Sequence, residues 1–437
     1  MTLAAAHIDT GDTAWLLAAT ALVLLMTPGL ALFYGGMVRT KSVLNMLMMS
    51  FVSIALVTVV WLACGYSLAF GDDVADGLIG GLHQAGMAGL GPSDVHGTVP
   101  TLLFATFQLT FAVITAALIS GAVADRAKFG AWLVFVPVWA LLVYVPVTHW
   151  VWGPGGWIGQ HLHALDFAGG LPVEITSGAS GLALCLVLGP RLGFKKDAMR
   201  PHNLPMVMLG AGLLWFGWFG FNAGSAMGAS GLAAAAFLNT LAAGCTGLLG
   251  WLFVEHKRDG HPTTLGAASG AVAGLVAITP SCGTVSLLGA LVVGLAAGVV
   301  CSFAVGWKFR LNYDDSLDVV GVHLVGGIIG TLLIGLFAEK AMTGGAEGLL
   351  YGGGLAPLGR QLLAVAAVAV YAFGATYGIG KLLDKVMGLR ASEEQEHTGL
   401  DLTVHAETAY DHGVLGHGAP VGASPFVTTA QKVNTQA

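Results

Sequence analysis

Charge is what this chain has least of. Only 42 of its 437 residues are Asp, Glu, Lys or Arg, which is 10%, where a water-soluble domain carries about 25%. So few charges cannot cover a soluble body of this size, and an ordinary soluble enzyme is excluded. Basic residues are the scarcer sign, 18 against 24 acids for a net charge of -6, which excludes a protein whose affinity rests on nucleic-acid phosphates. Cysteine is sparse as well: Cys64, Cys185, Cys245, Cys282 and Cys301 lie in or beside apolar runs without a CxxC pair. That pattern argues against a structural zinc site or a disulfide framework. No basic residue precedes the first apolar run, so no cleavable signal peptide is expected. There is no HExxH, no third ligand at helical spacing and no evident nucleophile–base set, so the chain reads as no enzyme, with no metal and no cofactor.

What is present is apolar. The chain is 55% hydrophobic with a mean hydropathy of +0.78, and its 65 glycines are about twice the average share. In a lipid environment small residues let helix backbones approach closely. Eleven continuously apolar runs reach the roughly 20 residues that a helical crossing needs: 14–36, 43–70, 99–123, 129–149, 172–189, 203–222, 231–254, 263–280, 284–306, 319–338 and 361–388. A transmembrane barrel would alternate apolar and polar residues instead. The expected fold class is therefore an all-α integral membrane protein with eleven transmembrane helices.

The basic residues orient it. Sixteen of the 18 follow the odd-numbered runs, from Arg39 and Lys41 after the first to Lys381, Lys385, Arg390 and Lys432 at or beyond the last; Lys340 and Arg360 are the exceptions. The excess of Lys and Arg marks the cytoplasmic side, which puts the N-terminus outside and the C-terminus inside. The opposite loops carry Asp72, Asp73, Asp76, Asp94 and Asp166 without a Lys or Arg in 71–98 or 150–170.

The fifth and tenth runs echo each other. Glu174 is followed by Ser177, Gly178 and Gly181, and His323 by Gly326, Gly327 and Gly330. Each set has an ionisable residue with small residues at +3, +4 and +7, near one helical face. Five helices is an odd number, so two such halves would form inverted five-helix repeats, as in many transporters. Glu174 and His323 are also essentially the two ionisable groups away from span ends, where charge is costly. Each has a structural reading: Glu174 near a helix start after Pro172, His323 as a buried histidine bonded to a neighbouring helix. Matching places in the two halves favour a shared functional role. A second set is aromatic: Phe107 and Phe111, Trp152, and the segment from Trp215 to Ser225. These fit an interfacial belt or a mouth whose ring faces attract an ammonium-type cation.

Several longer stretches are similar to one family. Thr27-Pro-Gly-Leu-Ala-Leu-Phe-Tyr-Gly-Gly-Met-Val-Arg39, Leu165-Asp-Phe-Ala-Gly-Gly170, Gly217-Trp-Phe-Gly-Phe-Asn-Ala-Gly-Ser225 and Asp318-Val-Val-Gly-Val-His323 resemble motifs of the ammonium transporter (Amt/Mep/Rh) family, bacterial Amt type. The resemblance runs from about residue 14 to Tyr410. It implies a homotrimer with a pore in each subunit and ammonium as substrate, recruited at an outer site of Phe107, Trp152 and Ser225 with Asp166 in support. It further implies a stacked gate of Phe111 and Phe221, and a proton-handling pore pair at Glu174 and His323. Here the chain departs from the usual pattern, because Glu174 stands where most members have the first pore histidine, a variation similar to some fungal members. A Glu–His pair shares a proton or forms an ion pair, unlike two neutral imidazoles.

The resemblance makes the expected function transport of ammonium, deprotonated at the mouth and conducted as ammonia through an apolar pore. The alternative is an ammonium sensor that conducts little and signals through its tail. Residues 1–389 are expected to form the transporter domain and 390–437 a cytoplasmic tail, packed over 390–410 and disordered over 411–437. By resemblance, a PII-type nitrogen-signalling protein is a partner at the cytoplasmic face, and the location is the inner (plasma) membrane.

Overall fold

The computed structural model describes residues 7–410; the expectation of disorder over 411–437 lies outside them. Among the described residues ten helices are long and apolar enough to cross a membrane. In chain order they are α1 (Thr10–Met37), α2 (Thr40–Phe70), α3 (Thr101–Val123), α4 (Phe129–His161), α5 (Gly170–Leu188), α6 (Leu204–Gly224), α7 (Gly231–Asp259), α9 (Leu287–Leu311), α10 (Val320–Phe337) and α11 (Ala356–Met387). The run at 263–280 forms a shorter apolar helix, α8 (Thr264–Ile278). Two short helices follow, α12 (Glu393–Thr398) and α13 (Leu400–His405).

Local chemistry sets the helix starts. Asp9, Asn203, Ser230 and Thr263 each accept a hydrogen bond from the backbone N–H three residues on, opening α1, α6, α7 and α8. A side-chain oxygen there satisfies a donor that the first turn leaves free. The largest departure from the sequence reading is α4. It was expected to end at 149 but turns at 153–156, where Gly155 adopts φ 74°, and runs on to His161. The apolar run ends before the structure does, because Gly153, Pro154, Gly155 and Gly156 interrupt the hydropathy while the chain folds back.

The helices pack in ordered neighbours: α1 along α6, α7 against α8 and α9, and α11 against α5 and α10. The most enclosed are α3 and α5, with 89% and 83% of their apolar windows buried, against 28% for α2 and 33% for α11. The helices that carry Phe107, Phe111 and Glu174 are therefore the innermost, and the surroundings of those side chains are protein.

After α11 the described residues, to Tyr410, stay on the body. Asp401 accepts from the N–H groups of Leu44 (3.0 Å) and Asn45 (2.8 Å) near the start of α2. Glu396 accepts from Leu192 N (2.6 Å) and from Arg390 (2.8 Å). His202 Nδ1 donates to Val38 O (2.9 Å), which leaves Nε2 as the acceptor for the Tyr410 hydroxyl (2.9 Å).

Candidate functional site

The site is built on two helices that begin alike. Both α5 and α10 open with a wide, five-residue-spaced turn, at Gly170–Ile175 and Val320–Leu324, and continue as 13 residues of α-helix. Such wide turns recur at functional sites. Glu174 and His323 sit within them.

Eight residues ahead of each stands an aspartate that caps the helix start. Asp166 Oδ1 accepts from Gly169 N (2.7 Å) and Gly170 N (2.9 Å), and Oδ2 from Leu171 N (2.6 Å). Asp315 accepts from Val319 N (3.1 Å) and Val320 N (2.7 Å). Burial pushes the Asp166 carboxyl up to about 6, against the pull of its three N–H donors. Asp315 is likewise pushed up to about 6 by burial, opposed by the nearby Lys308 charge.

The two helices meet through glycine. A Cβ on Gly327 would lie 2.8 Å from Glu174 Cβ, and one on Gly178 would collide with the backbone N of Leu324. With no side chain at either position, the pair expected from the sequence comes together: His323 Nδ1 lies 2.6 Å from Glu174 Oε2, both residues buried. One proton lies between these atoms, carried either by Glu174 and donated to Nδ1 or by Nδ1 and donated to the carboxylate. Among the described residues no partner reaches Nε2, which is left for an occupant of the adjoining slot. That slot is small, about 10 Å³, or one water-sized position. Apart from Glu174 and His323 its walls are apolar, with Leu30, Ile114, Leu118 and Val272 among them.

Phe221 lines the slot, and Phe111 stacks on it. Their rings stack with centroids 4.0 Å apart at 24°, and both are buried. Trp152 meets Phe111 edge-on at 6.1 Å. Beyond them opens a cavity of about 480 Å³ lined by Trp152, Asp166 and Ser225 together with Tyr66, Phe70, Phe104 and Gln108. Three of the four residues expected at the outer site thus share one wall. Phe107 is placed differently: it is fully buried, one turn along α3 from Phe104 and edge-on to Phe111 at 4.8 Å. Phe104 is the α3 ring on the cavity wall, with His96 stacked on it at 3.7 Å.

Sequence reasoning missed His96 because it lies on a short hairpin, Val95–His96 paired with Val99–Pro100, with no apolar period to mark it. It also missed that the Trp152 indole N–H donates to the backbone carbonyl of Asp166 (3.0 Å). The eight-residue offset shared by Asp166/Glu174 and Asp315/His323 was the available signal for Asp315.

Comparison with known proteins now decides the family. The model of the Ammonium Transporter Family matches residues 14–410. The chain belongs to that family. It is 55% identical over 435 residues to the ammonium transporter of Mycobacterium tuberculosis (strain ATCC 25618 / H37Rv), covering 93% of this chain and 91% of the relative. Its fold superposes on Mep2 of Saccharomyces cerevisiae with a TM-score of 0.82 at 35% identity, over 88% of this chain and 91% of that one. It also superposes on a protein described as a sensor Amt protein, with a TM-score of 0.83 at 29% identity, over 90% and 97% of the two chains. The family membership makes this a membrane transport protein, and its relatives are named for transport rather than catalysis.

Proposed function

We propose that the chain recruits ammonium in the cavity walled by Trp152, Asp166 and Ser225, removes its proton at the Phe111–Phe221 gate, and conducts ammonia through the slot beside Glu174 and His323. Phe107 supports the site by backing Phe111. The observation that carries this reading is the stacked ring pair leading to a one-molecule slot with a single hydrogen-bonded Glu–His pair in its wall.

Energetics favour splitting the ion. A bare ammonium in an apolar slot costs tens of kcal/mol by the Born estimate. Taking a lysine ammonium as stand-in, deprotonation at pH 7 costs about 4.6 kcal/mol. Glu174 and His323 then relay the released proton, so transport moves net charge. Wild type and a Glu174→Gln/His323→Ala double variant are compared for ammonium-evoked current and for ammonium uptake in the same proteoliposomes. The relay predicts that the current falls relative to uptake; equal currents at unchanged uptake would sink it.

The same reading includes the architecture. α8 completes eleven spans, and α1–α5 and α6–α10 are inverted repeats, N-terminus outside and C-terminus cytoplasmic. Support comes from the matched wide turns, the aspartates eight residues upstream and paired loop contacts: Phe167 N donates to Pro280 O (3.0 Å), as Ser316 N does to Ala122 O (3.3 Å). Residues 1–389 form the transporter domain and 390–437 the cytoplasmic tail; three such chains form a homotrimer in the inner membrane, and a PII-type protein docks at the cytoplasmic face.

The likeness to a sensor Amt protein gives the second reading, an ammonium sensor that conducts little and signals through its tail. Ammonium binding without current or uptake would select it.

A further inference from the structure

Gln361 is a polar side chain near the start of an otherwise apolar stretch of α11, and it is 2% exposed. A buried amide must satisfy both ends, and this one does so with backbone groups far away in sequence. Its Oε1 accepts from Leu165 N (2.8 Å), while its Nε2 donates to Leu165 O (2.7 Å) and to Thr331 O (3.1 Å). The amide orientation is fixed by this set, since the reversed side chain would face N–H to N–H at Leu165. Gln361 thus clamps both backbone polar groups of one loop residue and ties that residue to α10, the helix of His323.

The clamped residue precedes Asp166. From Asp166 the contacts run two ways: its carbonyl holds the Trp152 indole N–H, and its carboxylate holds the first N–H groups of α5. The peptide that carries this carbonyl is held on one side by Phe167 N, which donates to Pro280 O (3.0 Å), and on the other by Gln361, which fixes Leu165 immediately before it. Side chains that form a binding wall need their orientation held by such supporting bonds.

We infer that Gln361 is a positioning residue for the ammonium-recruiting cavity: through Leu165 and the Asp166 carbonyl it sets the Trp152 ring, and so the affinity for ammonium rather than the rate of passage. This rests on the reading of that cavity as the recruiting site. It assigns to α11, which lends none of the expected site residues, a specific part in substrate recognition.

The test uses the full chain in proteoliposomes, with ammonium chloride pulses and currents normalised to reconstituted protein. Gln361→Met keeps length and apolar bulk without hydrogen bonds. Gln361→Glu keeps an acceptor for Leu165 N but loses both donations. Gln361→Met is expected to raise half-saturating ammonium at least about fivefold with maximal current within about twofold of wild type; Gln361→Glu, which sets an acceptor oxygen against the Leu165 and Thr331 carbonyls, shifts it at least as far. Because Gln361 acts through Trp152, adding Gln361→Met to Trp152→Leu produces no further shift, a non-additivity that general loss of folding would not give. Wild-type half-saturation in Gln361→Met, a loss of maximal current alone, or full additivity in the double variant overturns the inference. If Gln361→Met does not reconstitute, Gln361→Glu is judged by the same criteria. A Trp152→Leu variant with unchanged half-saturation removes the recruiting-site reading and this inference together. A shift in Trp152→Leu but in neither Gln361 variant removes only the inference.

Discussion

Glu174 and His323 face each other at 2.6 Å across the contact between α5 and α10, and the proposed relay makes the proton they hold a test of the account. Glu174→Gln keeps the shape of the pair while removing the carboxylate that would take up and release a proton in the proposed relay. Ammonium-evoked current is expected to fall at least about tenfold, equivalent to ~1.4 kcal/mol of barrier, measured against protein amount. Asp166 gives a pH signature. Its carboxyl half-titrates near pH 6, so it is largely anionic at pH 7 and largely neutral at pH 5, while ammonium stays protonated throughout. Cation recruitment therefore weakens as pH falls. Half-saturating ammonium is expected to rise about tenfold from pH 7 to pH 5, following the ionised fraction, and to stay flat in Asp166→Asn. Both residues were legible in the sequence, Glu174 by its cost in an apolar run and Asp166 by the motif around it. Gln361 was not, because its partners lie 196 and 30 residues away and are backbone groups that leave no mark on side-chain pattern. Phe104 carries no mark in the sequence that sets it apart, since it falls on the same aromatic stretch of α3 as Phe107, and spacing alone does not say which rings line the cavity.

At the scale of elements, the contact between α5 and α10 depends on two missing side chains. A Cβ on Gly178 meets backbone at Leu324, which cannot give way as a flexible side chain would. Gly178→Ala is expected to destabilise the fold by about 1–3 kcal/mol through overpacking, read as a lower Tm in detergent. Gly374→Ala, with nothing within 4 Å of the new Cβ, leaves Tm unchanged; equal effects would deny the close approach its role. The small residues at +3, +4 and +7 were legible as an echo between the two helices, but not as the contact between them. The wide turns at its start were not visible, since apolar continuity is the same for an α-turn and a wider one. The extension of α4 to His161 escaped for a related reason: hydropathy marks where a chain is apolar, and the fold-back after Trp152 is made by glycines and a proline.

At the scale of the whole molecule, residues 390–410 and the helical body form one packed unit. Asp401 supplies the acceptor for Leu44 and Asn45 at the start of α2, so Asp401→Ala leaves two N–H groups without it. The expected cost is about 1–2 kcal/mol, the scale of a lost helix cap, and calorimetry of the reconstituted protein measures it. The charge pattern indicated which side the tail shares with the loops after α1 and α5, because 16 of 18 basic residues follow odd-numbered runs. The contacts themselves were beyond the sequence, as charged and polar residues at a membrane surface pair in many ways.

The central claim is that the slot passes nitrogen only after its proton is removed. Potassium carries no removable proton and bears the full cost of dehydration in an apolar slot. The direct measurement is current across a solid-supported membrane carrying the wild-type protein in proteoliposomes, with matched pulses of ammonium and potassium. The account predicts a current with ammonium and none with potassium. A potassium current of comparable size would contradict it, as would silence with ammonium in both current and internal alkalinisation.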